Sequence, residues 1–378
     1  MSLQSLVVCS DEKIVRVLRR VLSDLEIAVE HCSQADAAIH KLTRQRFEAV
    51  IVDCAEARGA SQVLRSARAA PCNKRAIAVA ILDEKTGLQN AFAMGAHFVL
   101  YKPISMERAK TSFRAARALM KRERRRNVRL PLEIPVSVRM SDGPPQKTVT
   151  LDISEGGIAV KLGKRSKQVV PTRVEFTLPG QTPAIECDAE VAWENASGST
   201  GIRFVHLSPE CQHTLMSWLN RQAPEAERDD PPVSCKLTDL SVGGCYLQVV
   251  SPFPMRTRVV LSMRIADLEM QAEGVVRVMH PEVGMGVEFL RKNAEQTDGL
   301  EKFIQALMNG NGALPELLVE PVGLETDSEP GASVDDPVED PLLNLFRYKT
   351  GLPAEAFLAE LQRQRQPDAA VPDDVLSL

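Results

Sequence analysis

The segment "LDISEGGIAV" at residues 151–160 returns as "TDLSVGGCYL" at residues 238–247. Each copy holds Asp-x-Ser-x-x-Gly: Asp152, Ser154 and Gly157, then Asp239, Ser241 and Gly244. The flanks repeat in the same order. "RVEFTL" is matched by "RVVLSMRI", "AEVAWEN" by "AEGVVRVM" and "STGIRFV" by "GMGVEFL". A pattern written twice with its neighbours in order requires a duplicated fold, whereas a solenoid needs at least about three repeats.

A chain of 378 residues is too long for one core, so two or three domains are expected. A net charge of −4 excludes the whole chain as a nucleic-acid partner. No apolar run is long enough to cross a bilayer, so membrane insertion is not expected. Asp11, Glu12 and Lys13 interrupt the first apolar stretch, so no leader is expected. The eight cysteines contain no Cys-x-x-Cys pair, which argues against a zinc site or a disulfide framework and for a reducing, cytoplasmic location. Cys9, Cys54 and Cys187 sit in apolar runs and read as small buried hydrophobes. His31, His40, His97, His206, His213 and His280 form no spaced pair or triad and read as surface or packing residues. No phosphate loop or nucleophile elbow is present, so no catalytic residue is assigned and an enzyme is not expected.

Residues 1–118 alternate strand-like runs ("SLVVC", "EAVIVDC", "AIAVAIL", "HFVLY") with helical spacing, as in Ile14, Val17, Leu18, Val21 and Leu22. That order indicates an α/β domain, a doubly wound parallel sheet. Residues 105–126 predict one helix ending in "KRERRR". From residue 127 the chain turns to short, β-branched segments separated by Gly and Pro, a β-barrel pattern closed by a helix over Cys211–Leu219 within a domain of residues 119–222. Residues 233–309 repeat it, closing with a helix over Leu300–Met308, but "LEIPVSVRM" has no counterpart there, so a first strand is missing. Residues 310–378 form the tail. Its stretch 311–340 carries nine acidic residues and no Lys or Arg, which predicts a disordered linker. A short amphipathic helix is expected over Pro353–Gln364, through Phe357, Leu358 and Leu361.

Arg125-Arg-Asn-Val-Arg129 precedes the first strand, and Asp152-x-Ser154-x-x-Gly157 follows it. With "ERRRNVRLPLEIPV" and "GIRF", these residues make the segment resemble a PilZ domain, a six-stranded β-barrel with a C-terminal helix that binds cyclic di-GMP. The chemistry fits that ligand. An Arg fork grips phosphate oxygens or the O6/N7 edge of guanine, and Lys lacks that planar geometry. By the resemblance, Arg125 and Arg129 hold guanine and phosphate, and Asp152 and Ser154 hold the guanine edge. Gly157 lets the backbone approach the ligand, and Arg124 and Arg126 are further candidates. The Arg arm is expected to stay flexible until ligand arrives. The plainer alternatives are that "KRERRR" is a solvated helix end and that Asp-x-Ser-x-x-Gly serves only a turn. The second copy keeps Asp239, Ser241, Gly243 and Gly244 but lacks the Arg pair. Arg221 and Arg228 are the only arginines in the junction before it. It reads as a degenerate PilZ-like domain with a structural or dimerising role.

"VIVDC" ends in Asp53 and "HFVLYKP" in Lys102 and Pro103. Residues 1–118 thereby resemble the receiver domain of response regulators, in which Asp53 is the phospho-acceptor, with Asp11 and Lys102 beside it. Asp11 and Asp53 would bind Mg²⁺ weakly. The resemblance is incomplete. The acidic pair reads Ser10-Asp11, the hydroxyl after the fourth strand is replaced by Asp83, and the switch aromatic is Val99. A pseudo-receiver that dimerises or docks on a partner is expected.

The leading expectation is a cyclic di-GMP effector. Ligand captured at the junction changes domain arrangement and the surface offered to an unidentified protein partner. The alternative is a phosphorylation-controlled response regulator whose PilZ-like units bind protein without nucleotide. A nucleic-acid binder through "KRERRR" ranks lower, because that run brings no aromatic residue for bases to stack on.

Overall fold

The computed structural model describes residues 2–70, 72–83, 87–127, 129–141, 144–162, 171–195, 198–222, 230–266, 268–290, 294–309, 315–325, 340–349 and 352–364. They form two compact units, residues 1–120 with 231–378, and residues 121–230.

The front segment is β1 (Leu3–Val8), α1 (Glu12–Asp24), β2 (Ile27–Cys32), α2 (Ala35–Leu42), β3 (Ala49–Asp53), α3 (Ala57–Ala69), β4 (Ile77–Leu82), α4 (Leu88–Ala93), β5 (Phe98–Tyr101) and α5 (Met106–Asn127). All strands pair in parallel in the order β2-β1-β3-β4-β5. The central strands β3 and β4 are buried on both faces, which is why they read as unbroken apolar runs. His97, just before β5, is a packing residue as expected: its Nδ1 accepts the Ala78 N–H at 2.9 Å. Burial first, and the Arg68 guanidinium second, push its pKa down to about 3.

The second compact unit holds β6 (Leu130–Pro131), β7 (Pro135–Met140), β8 (Gln146–Ser154), β9 (Gly157–Lys161), β10 (Pro171–Phe176), β11 (Ile185–Glu194), β12 (Ser199–His206) and α6 (Pro209–Gln222). Antiparallel pairing runs β8-β7-β10-β11-β12-β9, and a β8–β9 ladder closes the barrel. Val138, Ile153, Val160, Phe176 and Ile202 fill it, and α6 adds Leu215, Trp218 and Leu219 as its spacing predicts.

The repeat follows as β13 (Val233–Ser234), β14 (Lys236–Leu240), β15 (Gly244–Gln248), β16 (Thr257–Ile265), β17 (Leu268–His280), β18 (Gly284–Phe289), α7 (Ala294–Asn309) and β19 (Glu316–Leu324). This is a curled sheet in the order β13-β19-β16-β17-β18-β15-β14. Its first strand is not missing but relocated. β19 lies antiparallel on β16, with Leu261 opposite Val319, as β7 lies antiparallel on β10, with Val174 opposite Val138. The linker expectation is therefore corrected for these residues. Leu317 and Val319 alternate inward with period two, and an acidic, Pro- and Gly-bearing composition conceals that alternation.

Two further helices follow, α8 (Pro341–Tyr348) and α9 (Ala354–Gln364), and they pack together. The expected amphipathic helix is α9, with Phe357 and Leu361 buried. α8 was not foreseen. Residues 326–339 and 365–378 of the expected tail lie outside the described residues.

The relocated strand has a measurable consequence. A chain ended at residue 310 should lose the cooperative melt of the curled sheet, while one ended at 325 should keep it in circular dichroism. Leu317→Ala in the full chain should cost about 2–5 kcal/mol by removing a buried side chain.

Candidate functional site

β8 ends at Ser154 and β9 begins at Gly157, so Glu155 and Gly156 make a two-residue turn. Ser154 Oγ donates to the Gly157 carbonyl at 3.1 Å and is buried with it. A Cβ on Gly157 would overlap the Ile202 carbonyl oxygen of β12. Gly157 is thus glycine because two backbones meet there, a demand of strand packing that holds with or without a ligand. The repeat has the same device. Ser241 Oγ donates to the Gly244 carbonyl at 3.3 Å, and a Cβ on Gly244 would meet the Val287 carbonyl oxygen.

Asp152 is different, because its carboxylate faces outward. The β6–β8 register sets Pro131 opposite Asp152, which brings Arg129 beside it. Arg129 Nη1 lies 3.1 Å from Asp152 Oδ1, in a pair open to solvent. The Arg129 guanidinium also lies over the Trp193 ring of β11, 5.6 Å from its centroid. Trp193 is 37% exposed, and its indole lies across Gly201 of β12, where any Cβ would overlap it. A guanidinium fork, a carboxylate and an exposed aromatic face thus converge on the outer wall of the first barrel. Such a set can take up phosphate, the N–H edge of a base and its flat face. Trp193 was missed in the sequence; the signal that could have found it is a Trp in register with a Gly on the neighbouring strand.

Arg125 is held elsewhere. It is buried in the last turns of α5, and its Nη1 donates to Asn220 Oδ1 of α6 at 2.5 Å. Lys121, Arg122, Glu123 and Arg124 are buried too, and Lys121 Nζ lies 2.8 Å from Asp230 Oδ1. The solvated helix end is therefore corrected, and the arm is helical as far as Asn127 rather than loose. The side chain of Arg126 lies outside the described residues, as does Arg228 of the second junction.

In the repeat, α8 covers the motif. Asp340 Oδ2 accepts the Gly243 N–H at 3.0 Å, and Leu343 fills the space a Cβ on Gly243 would need. Cys235 and Cys245 are buried, and burial pushes their thiols up, Cys235 to about 12.

In the front segment Asp53 stands at the end of β3. Its two oxygens lie 2.7 and 2.9 Å from Lys102 Nζ, and Cys9 Sγ donates to Oδ2 at 3.3 Å. Burial, ahead of the Asp53 charge, pushes the Cys9 thiol up to about 11. Asp11 caps α1: its Oδ1 accepts the Lys13 N–H at 2.8 Å and the Ile14 N–H at 3.4 Å. Structure thus brings Asp53 and Lys102 together and gives Asp11 a capping task. Among the described residues no cluster of three or more His, Cys, Asp or Glu is arranged to hold a metal.

The PilZ domain family model matches residues 123–221 and again residues 223–306. The chain carries two PilZ domains in tandem. A search of curated proteins finds no match. Among solved structures, the receiver domain of a sensor histidine kinase from Pseudomonas aeruginosa is similar at 21% identity and a TM-score of 0.26. That match covers 28% of this chain and 90% of the other. A chemotaxis response regulator of Vibrio cholerae is similar at 20% identity and a TM-score of 0.29, covering 31% and 99%. The front segment is receiver-like by its own β2-β1-β3-β4-β5 order and by the Asp53–Lys102 pair at the strand ends. No helix among the described residues is long and apolar enough to cross a membrane.

Both PilZ domains should answer alike to the loss of their glycine. Gly157→Ala and Gly244→Ala each force two strands apart, at about 1–3 kcal/mol or more. Thermal melts should fall in both variants, whether or not any nucleotide is present.

Proposed function

We propose that the protein is a cyclic di-GMP effector without catalysis of its own, armed in its first PilZ domain alone. The observation that carries this reading is the exposed Arg129–Asp152 pair beside Trp193 on the wall of that barrel. Ligand exchanges the Arg129–Asp152 pair for two better-matched contacts: Arg129 to phosphate or the guanine O6/N7 edge, and Asp152 to the guanine N–H groups. Trp193 offers its face to a base. Arg125 joins only by leaving Asn220, and because it belongs to α5, which begins at Met106, its recruitment acts on the helix that leaves the receiver-like segment. Binding then shifts the balance between domain arrangements to the extent that one of them binds more tightly, and a protein partner reads the change.

The second PilZ domain is expected to stay empty of nucleotide. Its motif face carries no Arg pair and is covered by α8. The alternative of phosphorylation control is less well supported. Lys102 already pairs with both Asp53 oxygens, and Asp11 is engaged at the start of α1.

Calorimetric titration of cyclic di-GMP tests the proposal. One nucleotide species per first PilZ domain should bind, with none at the second. Arg129→Ala and Arg125→Ala should each weaken binding by about tenfold to hundredfold, as expected for a lost hydrogen bond to a charged group. No binding to the unaltered protein would sink the effector reading. Acetyl phosphate with Mg²⁺ should leave Asp53 unlabelled by mass spectrometry, and stoichiometric labelling would favour the phosphorylation alternative.

A further inference from the structure

The two PilZ domains can be compared position by position from their ladders. In the first, Gly201 of β12 faces Ala159 on one side and Trp193 on the other. In the second, Gly286 of β18 faces Tyr246 and Val278. Both β11 and β17 shift register just before that residue, so Val278 stands where Trp193 stands. The wall that carries Asp152, Arg129 and Trp193 in the first domain is therefore the wall of Asp239, Tyr246 and Val278 in the second.

That second wall is filled by α8 and α9. The Phe346 ring lies over Gly286, as the Trp193 indole lies over Gly201, and a Cβ there would overlap either ring. Leu343 sits against Gly243 and Gly244. Phe357 packs on Tyr246, His280 and Phe346 at ring-centroid distances of 5.4, 4.7 and 6.2 Å. Polar contacts fix the register. Asp340, the N-cap of α8, accepts the Gly243 N–H at 3.0 Å, and Arg347 Nη2 lies 2.5 Å from Glu288 Oε1. Glu288 is buried and also paired to Arg277 at 2.7 Å. Its ladder counterpart in the first domain is Arg203, so the charge is reversed at the equivalent position.

This contact lies outside the core of the sheet. Cys245, Leu247, Val276, Met285 and Val287 face inward and belong to one apolar cluster. Tyr246, Val278, Leu342, Leu343, Phe346 and Phe357 belong to a separate one. α8 and α9 have 8 and 11 residues, below the length at which helices persist alone in water. They depend on the wall for their form. Between them and β19 runs a connection, residues 326–339, with five acidic residues and no Lys or Arg.

We propose that the outer wall of the second PilZ domain is a binding site for an amphipathic helical peptide with an acidic N-cap and a basic last turn, and that residues 340–364 are its ligand, held in cis. Where the first domain presents its wall for a nucleotide, the second has turned the same wall to a peptide. The site needs three things of a ligand: an Asp at the helix start for the Gly243 amide, Leu and Phe one turn apart for the two glycine slots, and an Arg for Glu288. This inference is independent of nucleotide binding at the first domain.

The test uses the full chain with a protease site placed within residues 326–339, cut after folding and then gel-filtered under dilution. The tail piece should leave, and the remaining body should keep its circular dichroism spectrum and melt. A fluorescein-labelled synthetic peptide of residues 340–364 should then rebind saturably, one per body, by anisotropy. Phe346→Ala in the peptide should weaken binding about hundredfold or more, because it empties the Gly286 slot. Arg347→Ala should weaken it about tenfold. Uncut protein, whose site is filled, should not bind peptide at concentrations that saturate the cut protein. A body that unfolds once the tail piece is removed overturns the proposal, since α8 and α9 would then be part of the core. Equal binding of the Phe346→Ala peptide, or equal binding to uncut protein, overturns it as well.

Discussion

Everything in the two β-rich domains depends on one close approach, between the glycine that opens β9 or β15 and a carbonyl oxygen of the strand beside it. Without a Cβ at Gly157, β9 lies flat against β12, and the β8–β9 ladder can close the barrel. The serine hydroxyl on the glycine carbonyl tightens the turn that leads there. In the first copy Ser154 and Gly157 shape the turn and the strand packing, and the Asp152 carboxylate faces outward.

What each domain does with that freedom differs. In the first, Arg129 pairs with Asp152 and lies over the Trp193 indole, and all three remain accessible. In the second, the space over the equivalent glycine is taken by Phe346, and a buried carboxylate replaces a surface arginine. The same wall presents a polar, chargeable surface in one copy and an apolar groove in the other. The two copies share the backbone geometry and differ in the side chains on that wall.

The parallel sheet was legible because β3 and β4 are buried on both sides and read as unbroken apolar runs. The duplication was legible because the turn chemistry is stereochemically demanding. β19 was hidden: Glu316 and Glu320 on its outer face, together with Pro321 and Gly323, mimic linker composition. α8 was hidden because "PLLNLFRY" is short and its apolar face is legible only once a partner surface is known. At the site, Asp152 and Arg129 were legible through the resemblance to the PilZ pattern, but Trp193 was not, since only the ladder shows that it lies beside Gly201. The burial of Arg124 and Arg125 runs against composition, because a run of like charge ordinarily marks a solvated surface.

The displaced strand β19 also governs the order of events during synthesis. Domains emerge and fold from the N-terminus as units. The first barrel has all its strands once His206 has left the ribosome. The second sheet lacks the strand next to its β13 edge until Leu324 has emerged, with α7 already made. Until then β16 offers an open edge, and the nascent chain must protect that edge for longer than its sister domain does.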